Sequence, residues 1–364
     1  MTVRKTVRIV AVICLQLAVI LVCLEISTRL VRPQSVFSAT VNTWDERLGT
    51  RHIPGARGFV SGDEYEIELV INSKGLRDRE FEYENPDGAR RILSLGDSFA
   101  CGYGVPADST YAKVLERLLA ERPVSWQVLN AGVGSTGTAH QLAYFLDDGC
   151  RYQPDIVIVG FFTGNDFWDN VLCGLYTLED DRLLRNPVRR TRARSLERLT
   201  KWVPGYGFLL RHSHFIALLR HEVAFWHRKQ LTDTAFSDER VVSDGLPARL
   251  AERLLARLDE RCAQTGSALV VMLIPPAGPA RAPDLEREAT LAEFLDSEGI
   301  PCLDLGPIFR GDRARRYLYF SFDAHWTARG HRLAAGELAR FLDEHGLLEA
   351  AEAQADAPSH KYPS

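Results

Sequence analysis

The chain is poor in the patterns that make metal, nucleotide or disulfide proteins. No segment has the Cys/His spacing of a zinc site, and no glycine-rich phosphate loop occurs, so neither a metal nor a nucleotide cofactor is implied. The net charge is only −4 over 364 residues, so the chain as a whole does not advertise nucleic-acid binding. Seven cysteines are spread thinly, and Cys14 and Cys23 lie in an apolar N-terminal run. Cys101, Cys150, Cys173, Cys262 and Cys302 show no short paired spacing, which argues against a disulfide framework. That leaves room for at most an isolated bridge, such as Cys150 with Cys173. The ordinary role of such cysteines is that of small buried apolar residues.

Hydrophobic residues, by contrast, are plentiful, at 46% of the chain, which is ample for a large core. Arg4, Lys5 and Arg8 precede Ile9 to Leu24, a run that is apolar except for Gln16. It is short for a membrane span, which needs about 20 residues. It is long for a signal-peptide core of about 7–15 residues, and no small-x-small cleavage site follows at once. An uncleaved signal anchor is therefore expected over residues 1–32, in preference to a cleaved peptide or a buried helix. The basic cluster before the run places the N-terminus in the cytoplasm and the rest of the chain outside it, although Arg29 and Arg32 weaken that asymmetry.

Residues 33–90 form a preface. Phe59 to Asn72 alternates apolar and polar residues, with Tyr65, Ile67, Leu69 and Ile71 on one face, as in a half-exposed strand. Beyond it, continuous Val/Ile/Leu runs at Arg91–Leu95, Trp126–Asn130, Asp155–Phe161, Ala268–Ile274 and Cys302–Leu305 read as strands buried on both faces. Helical periodicity falls between them, at Tyr111–Glu121, Ala248–Ala263, Leu285–Ser297 and Ala328–Glu344. The alternation predicts an α/β domain over 91–349 with a doubly wound, mostly parallel, five-stranded sheet. An insertion over 170–247 interrupts it. Between Arg185 and Lys229 it carries eleven basic residues against two acidic ones, with Trp202, Tyr206, Phe208, Phe215, Phe225 and Trp226. Phe215, Leu218, Leu219 and Val223 have helical spacing there. A cap over the site, a membrane-surface face and a groove for an acidic polymer are all compatible with it. The Ala/Glu/Pro/Ser-rich tail, 350–364, is expected to be disordered.

Four polar groups recur where strand-like runs end. They are Gly96-Asp97-Ser98, Asn130, Gly164-Asn165-Asp166 and Asp323-Ala324-His325-Trp326. Ligands of doubly wound sheets bind beyond the carboxyl ends of the strands. A serine hydroxyl needs a base to become nucleophilic near neutral pH, and His325 is the candidate. Asp323, two residues earlier, would orient the imidazole. The Ser98 N–H, a backbone N–H in the Gly134-Ser135 turn and the Asn165 amide are candidate donors to an oxyanion. Asp97 and Asp166 read as residues that hold their turns, and Cys101 as packing. His140, His331 and His345 read as surface or capping residues, and Trp326 as a wall of the site or a packing residue.

These blocks resemble the SGNH/GDSL hydrolase superfamily. Gly96-Asp97-Ser98-Phe99, Val128 to Ser135, Gly164-Asn165-Asp166 and Asp323 to Thr327 are similar to its four motifs, over about residues 90–345. The anchor plus Asn72-Ser73-Lys74-Gly75-Leu76-Arg77 resembles a membrane-anchored bacterial branch. The resemblance implies a three-layer, flavodoxin-like α/β/α fold and a metal-free Ser-His-Asp site. It also implies ester hydrolysis or acyl transfer on lipids or carbohydrates. Two departures stand out. Ser135 occupies a position often held by glycine, with Gly134 able to take its role if the turn shifts by one. Asp323 is two rather than three residues before His325, as in branches resembling alginate O-acetyltransferases. The expectation is a membrane-anchored serine esterase with an extracytoplasmic domain. An O-acyltransferase modifying an exported polysaccharide is the alternative, and a non-catalytic binding protein the third reading.

Overall fold

A computed structural model describes residues 3–34, 36–37, 41–61, 64–187, 205, 208–209, 212–223, 226, 245–278, 282–312 and 315–353. Five strands form one parallel sheet: β6 (Arg90–Gly96), β7 (Trp126–Asn130), β8 (Ile156–Phe162), β11 (Ala268–Ile274) and β12 (Cys302–Asp304). Their spatial order is β12-β11-β8-β6-β7. The chain therefore steps outward from β6 to β7 and returns to the other side of β6 with β8. That reversal is the topological switch point, where doubly wound sheets open a crevice at their carboxyl ends.

The sheet's side-chain period of two feeds two cores. Leu93, Leu95, Leu129, Val157, Val159, Val271 and Leu273 face one side. There they meet α4 (Thr138–Asp147), α6 (Leu246–Gln264) and α7 (Ala282–Ser297). Ile92, Val128, Ile156, Ile158, Val270, Met272 and Ile274 face the other. They meet α3 (Tyr111–Leu119), α8 (Gly306–Gly311), α9 (Ala328–Glu344) and α10 (Leu347–Ala353). The layers are thus α/β/α, as the strand-helix alternation predicts. The helices begin where side chains can cap them: Thr110 accepts from Lys113 N–H in α3, and Thr327 from Gly330 N–H in α9.

The preface departs from the single strand expected over Phe59–Asn72. It folds as an antiparallel pair, β4 (Arg57–Ser61) and β5 (Glu66–Val70), with Tyr65 just ahead of β5. β1 (Val36–Phe37) extends this sheet, and β2 (Asn42–Asp45) pairs with β3 (Gly49–His52). Val60, Ile67, Leu69 and Ile71 make a third small core. Arg77, 1% exposed, reaches from the preface to the carbonyls of Cys101, Gly102 and Val105.

The N-terminal helix α1 (Val3–Val31) is apolar and long enough to cross a membrane, and it is exposed along its apolar length. The insertion expected from 170 opens within α5 (Asp166–Cys173) and continues in the hairpin of β9 (Tyr176–Glu179) and β10 (Arg182–Arg185). The expected amphipathic helix is present at 214–223. It meets the end of α1 and the residues just after it: Glu25 accepts from Ser213 Oγ and from the His214 and Phe215 amides, and His214 Nδ1 accepts from Gln34 N–H at 2.9 Å. Arg32 pairs with Glu222 at 2.7 Å. Trp202, Tyr206 and Phe225 lie outside the described residues. In the tail, helix α10 continues to Ala353 rather than stopping at 350, because Leu348 and Ala351 are buried. The rest of the tail lies outside the described residues. All seven cysteines carry free thiols, so Cys150 and Cys173 are not bridged.

Candidate active site

Strand β6 is buried throughout and ends on Gly96, where the chain must turn sharply. A Cβ at Gly96 would come within 2.6 Å of Ala100 Cβ, so the turn requires glycine. Asp97 caps the short helix α2 (Ser98–Cys101), its Oδ1 accepting from Phe99 N–H at 2.8 Å. Burial raises its carboxyl to a pKa of about 6, against the lowering effect of the Phe99 amide and His325. Ser98 thereby stands at the first position of α2, half-buried at the switch point. From β7, Gly132 packs against α2 so closely that a Cβ would lie 2.3 Å from Cys101 N. Asn130 accepts from Gly132 N–H at 3.1 Å, so it shapes this turn.

Ser98 Oγ and His325 Nε2 are 2.7 Å apart, across 227 residues of sequence. On the other side of the ring, His325 Nδ1 meets Asp323 Oδ1. A carboxylate at Nδ1 calls for a proton there, which leaves the Nε2 lone pair directed at the serine hydroxyl. The imidazole lies on Phe99 and Tyr103, with ring centroids 5.0 and 5.7 Å away. Ala324, between the two, has φ of 63°, a left-handed conformation that costs a residue with a Cβ on the order of 1–2 kcal/mol. The loop is fixed behind by Trp326, fully buried between Phe99 and Phe309 at 5.2 and 5.1 Å. Trp326 is thus a packing residue.

Ser135 and Asn165 sit on the loops that follow β7 and β8, flanking the Ser98 turn. Val133 N–H donates to Gly96 O at 3.0 Å and pins the first loop to the Ser98 turn. Ser135 is exposed with φ of 65°, which accounts for a glycine being common there in related motifs. Gly134 lies against Tyr103, since a Cβ would meet its Oη at 2.4 Å. Asn165 is the N-cap residue of α5, its Oδ1 buried and without a hydrogen-bond partner among the described residues. Asp166 holds that loop by accepting from Phe162 N–H at 3.1 Å. Burial raises its carboxyl well above the usual range, reinforced by Asp97 and Asp169.

Four other residues singled out in the sequence need comment. His331 is not a surface residue: it is 1% exposed and accepts from Tyr111 N–H at 3.1 Å, capping α3 from within. His140 caps α4 through Gly137 N–H, and His345 stacks on Phe341. Cys101 is fully buried, and burial pushes its thiol up to about 11, which suits packing rather than nucleophilic chemistry. Sequence reasoning missed Glu64 and Tyr65, which reach the Asp323 loop from the preface: the Tyr65 hydroxyl donates to Asp323 Oδ2. A cavity of about 310 Å³, lined by His52, Gly96, Thr136, Gln141 and Tyr144, backs onto the Ser98 turn but includes neither Ser98 nor His325.

Residues 94–333 match the model of the GDSL-like Lipase/Acylhydrolase family. Among solved structures, the chain is similar to the lipase/acylhydrolase from Enterococcus faecalis, at 13% identity and TM-score 0.42, over 70% of this chain and 96% of that one. It is similar to the psychrotrophic esterase EstA from Pseudoalteromonas sp., at 11% identity and TM-score 0.42, over 70% and 98%. It is also similar to a catalytic mutant of an acetylxylan esterase from Geobacillus stearothermophilus, at 12% identity and TM-score 0.41, over 70% and 94%. No curated protein matches the chain.

Proposed function

The chain belongs to the GDSL-like lipase/acylhydrolase family, and we propose that it is a membrane-anchored serine esterase acting on an ester-linked acyl group of a lipid or carbohydrate. At the family level it is an ester-acting hydrolase or acyltransferase. The observation that carries the finer reading is the chain of contacts from Ser98 Oγ through His325 to Asp323. In this mechanism Ser98 Oγ attacks the ester carbonyl while His325 Nε2 takes its proton. Asp323 stays ionised and stabilises the imidazolium. The backbone N–H groups of Ser98 and Ser135 and the side-chain amide of Asn165 receive the oxyanion. Collapse expels the alcohol, which takes the proton from His325. Water, activated by the same imidazole, then attacks the acyl-enzyme and frees Ser98. Residues 1–32 anchor the chain, and residues 91–349 form the hydrolase domain on the extracytoplasmic side.

The test uses the purified full chain and its Ser98→Ala variant, with p-nitrophenyl acetate and longer-chain esters, with and without a polysaccharide acceptor. Serine-dependent release without acceptor, falling about 10⁴-fold or more in Ser98→Ala, is the expected result. Release only with acceptor, and acyl groups found on the sugar, would replace hydrolysis by transfer. Equal release from both proteins would remove Ser98 from the chemistry.

A further inference from the structure

The segment Glu64–Tyr65 precedes β5, well outside the family match at 94–333. Nothing in the GDSL motifs calls for it. Yet it meets the loop bearing Asp323 at four consecutive residues, 258 positions away in sequence for the Tyr65 contact. The Tyr65 ring packs on Phe320 with centroids 4.8 Å apart. Glu64 Oε1 accepts from Ser321 N–H and Oε2 from Phe322 N–H, both at 2.9 Å. The Tyr65 hydroxyl donates to Asp323 Oδ2, the carboxylate oxygen that does not face His325.

The loop needs such support. Ala324 holds a left-handed φ of 63° between Asp323 and His325. Strained backbone of this kind persists only where its surroundings over-determine it. A carboxylate joined to the imidazole through one oxygen alone can also turn about its own χ2 and lose alignment. A phenol on the second oxygen fixes that torsion. The clamp rests in turn on the β4–β5 pair, whose own core is Val60, Ile67, Leu69 and Ile71, with Tyr103 packed against it. Tyr103 is the same ring that lies on His325.

We infer that Glu64 and Tyr65 are positioning residues: a clamp from the preface that holds Asp323 in the orientation required by His325. The inference rests on the reading of Ser98, His325 and Asp323 as the reacting set. It makes the preface part of the active site rather than a spacer between anchor and hydrolase domain.

The test compares full-length wild type, Tyr65→Phe, Glu64→Ala and Ser98→Ala. Two rates are measured: turnover of p-nitrophenyl acetate, and labelling of Ser98 by a fluorophosphonate. In the labelling step the serine oxygen forms a bond to phosphorus, fluoride leaves, and His325 takes the hydroxyl proton. Tyr65→Phe keeps the ring contact with Phe320 and removes only the hydroxyl. Expected is a fall in kcat and in labelling rate of about 10-fold, the lower end for a partner that orients a functional side chain, with KM unchanged. The melting temperature should stay at the wild-type value. Glu64→Ala should lower kcat in the same direction and speed amide exchange at 321 and 322. Should Tyr65→Phe fail to fold, Glu64→Ala, at an exposed side chain, decides by the same two readouts. Wild-type kcat and wild-type labelling rate in a folded Tyr65→Phe overturn the clamp. Wild-type activity in Ser98→Ala would instead overturn the mechanism on which it rests.

Discussion

Asp97 is a fully buried carboxyl one residue before the proposed nucleophile, and its pKa of about 6 lies above the ordinary 3.8 because burial disfavours its charge. The folded chain therefore holds a proton that the unfolded chain has released between about pH 4 and 6. Stability contributed by this group is present below that window and is lost as pH rises through it. Asp97→Asn keeps an oxygen that can accept from Phe99 N–H while removing the charge. The melting temperature of the variant relative to wild type should therefore climb between pH 4 and 7, and a constant difference would show that Asp97 does not titrate there. Asn165 and Ser135 separate side-chain from backbone donation. Asn165→Ala should lower kcat by about 10²–10³-fold in the ester assay, the usual cost of one oxyanion donor. Ser135→Gly leaves the backbone N–H in place and relieves a φ of 65°, so kcat should stay near wild type while stability holds or rises by about 1 kcal/mol. A large loss of kcat in Ser135→Gly would mean that the hydroxyl, not the amide, is used. These residues were legible because each closes a strand in a motif of fixed local spacing. Tyr65 was not: in sequence it is one more apolar member of an alternating run, and its role depends on a partner 258 positions away.

The elements around Ser98 are held by close backbone approach and by one buried cation. Gly132→Ala would drive a methyl to 2.3 Å from the Cys101 amide, a backbone atom that cannot swing aside. Helix α2 must shift, so we expect a loss of about 1–3 kcal/mol and a disproportionate loss of activity, read by thermal melting and ester turnover. Arg77 ties the preface to the far end of the same helix through three carbonyls. Arg77→Ala removes these charge-assisted bonds and leaves buried acceptors unmet, at a cost of about 3 kcal/mol or more by chemical denaturation. A variant that melts like wild type would show that solvent replaces the guanidinium. The five central strands were readable because strands buried on both faces are continuous Val/Ile/Leu runs. The β4–β5 pair was not, because period-two alternation runs on through both arms. Gly62-Asp63 between them was the available turn signal. The burial of His331 was likewise invisible, since a histidine on a helix looks the same whether it faces water or an amide from another helix.

For the molecule as a whole, α1 is the element that decides where the chain stays once it is made. Length and apolarity suit both a retained anchor and a removed signal sequence. The contacts at its far end favour retention. Glu25 accepts from two amides and one hydroxyl at 213–215, Arg29 donates to His212 O at 2.6 Å, and Arg32 pairs with Glu222. A carboxylate on the first amides of a helix stabilises that helix. Cleavage after α1 would strip the 214–223 helix of the carboxylate that caps its first amides. The expected outcome is that the full chain stays with membranes through an alkaline wash and keeps its N-terminal residues, read by mass spectrometry. Glu25→Ala should remain in the membrane but be cut faster near 208–226 by a dilute protease, because the cap and not the span has been removed. A chain recovered in the soluble fraction with a new N-terminus after α1 would make the segment an export signal. The same proteolysis rate in Glu25→Ala would mean that the insertion helix stands without the anchor.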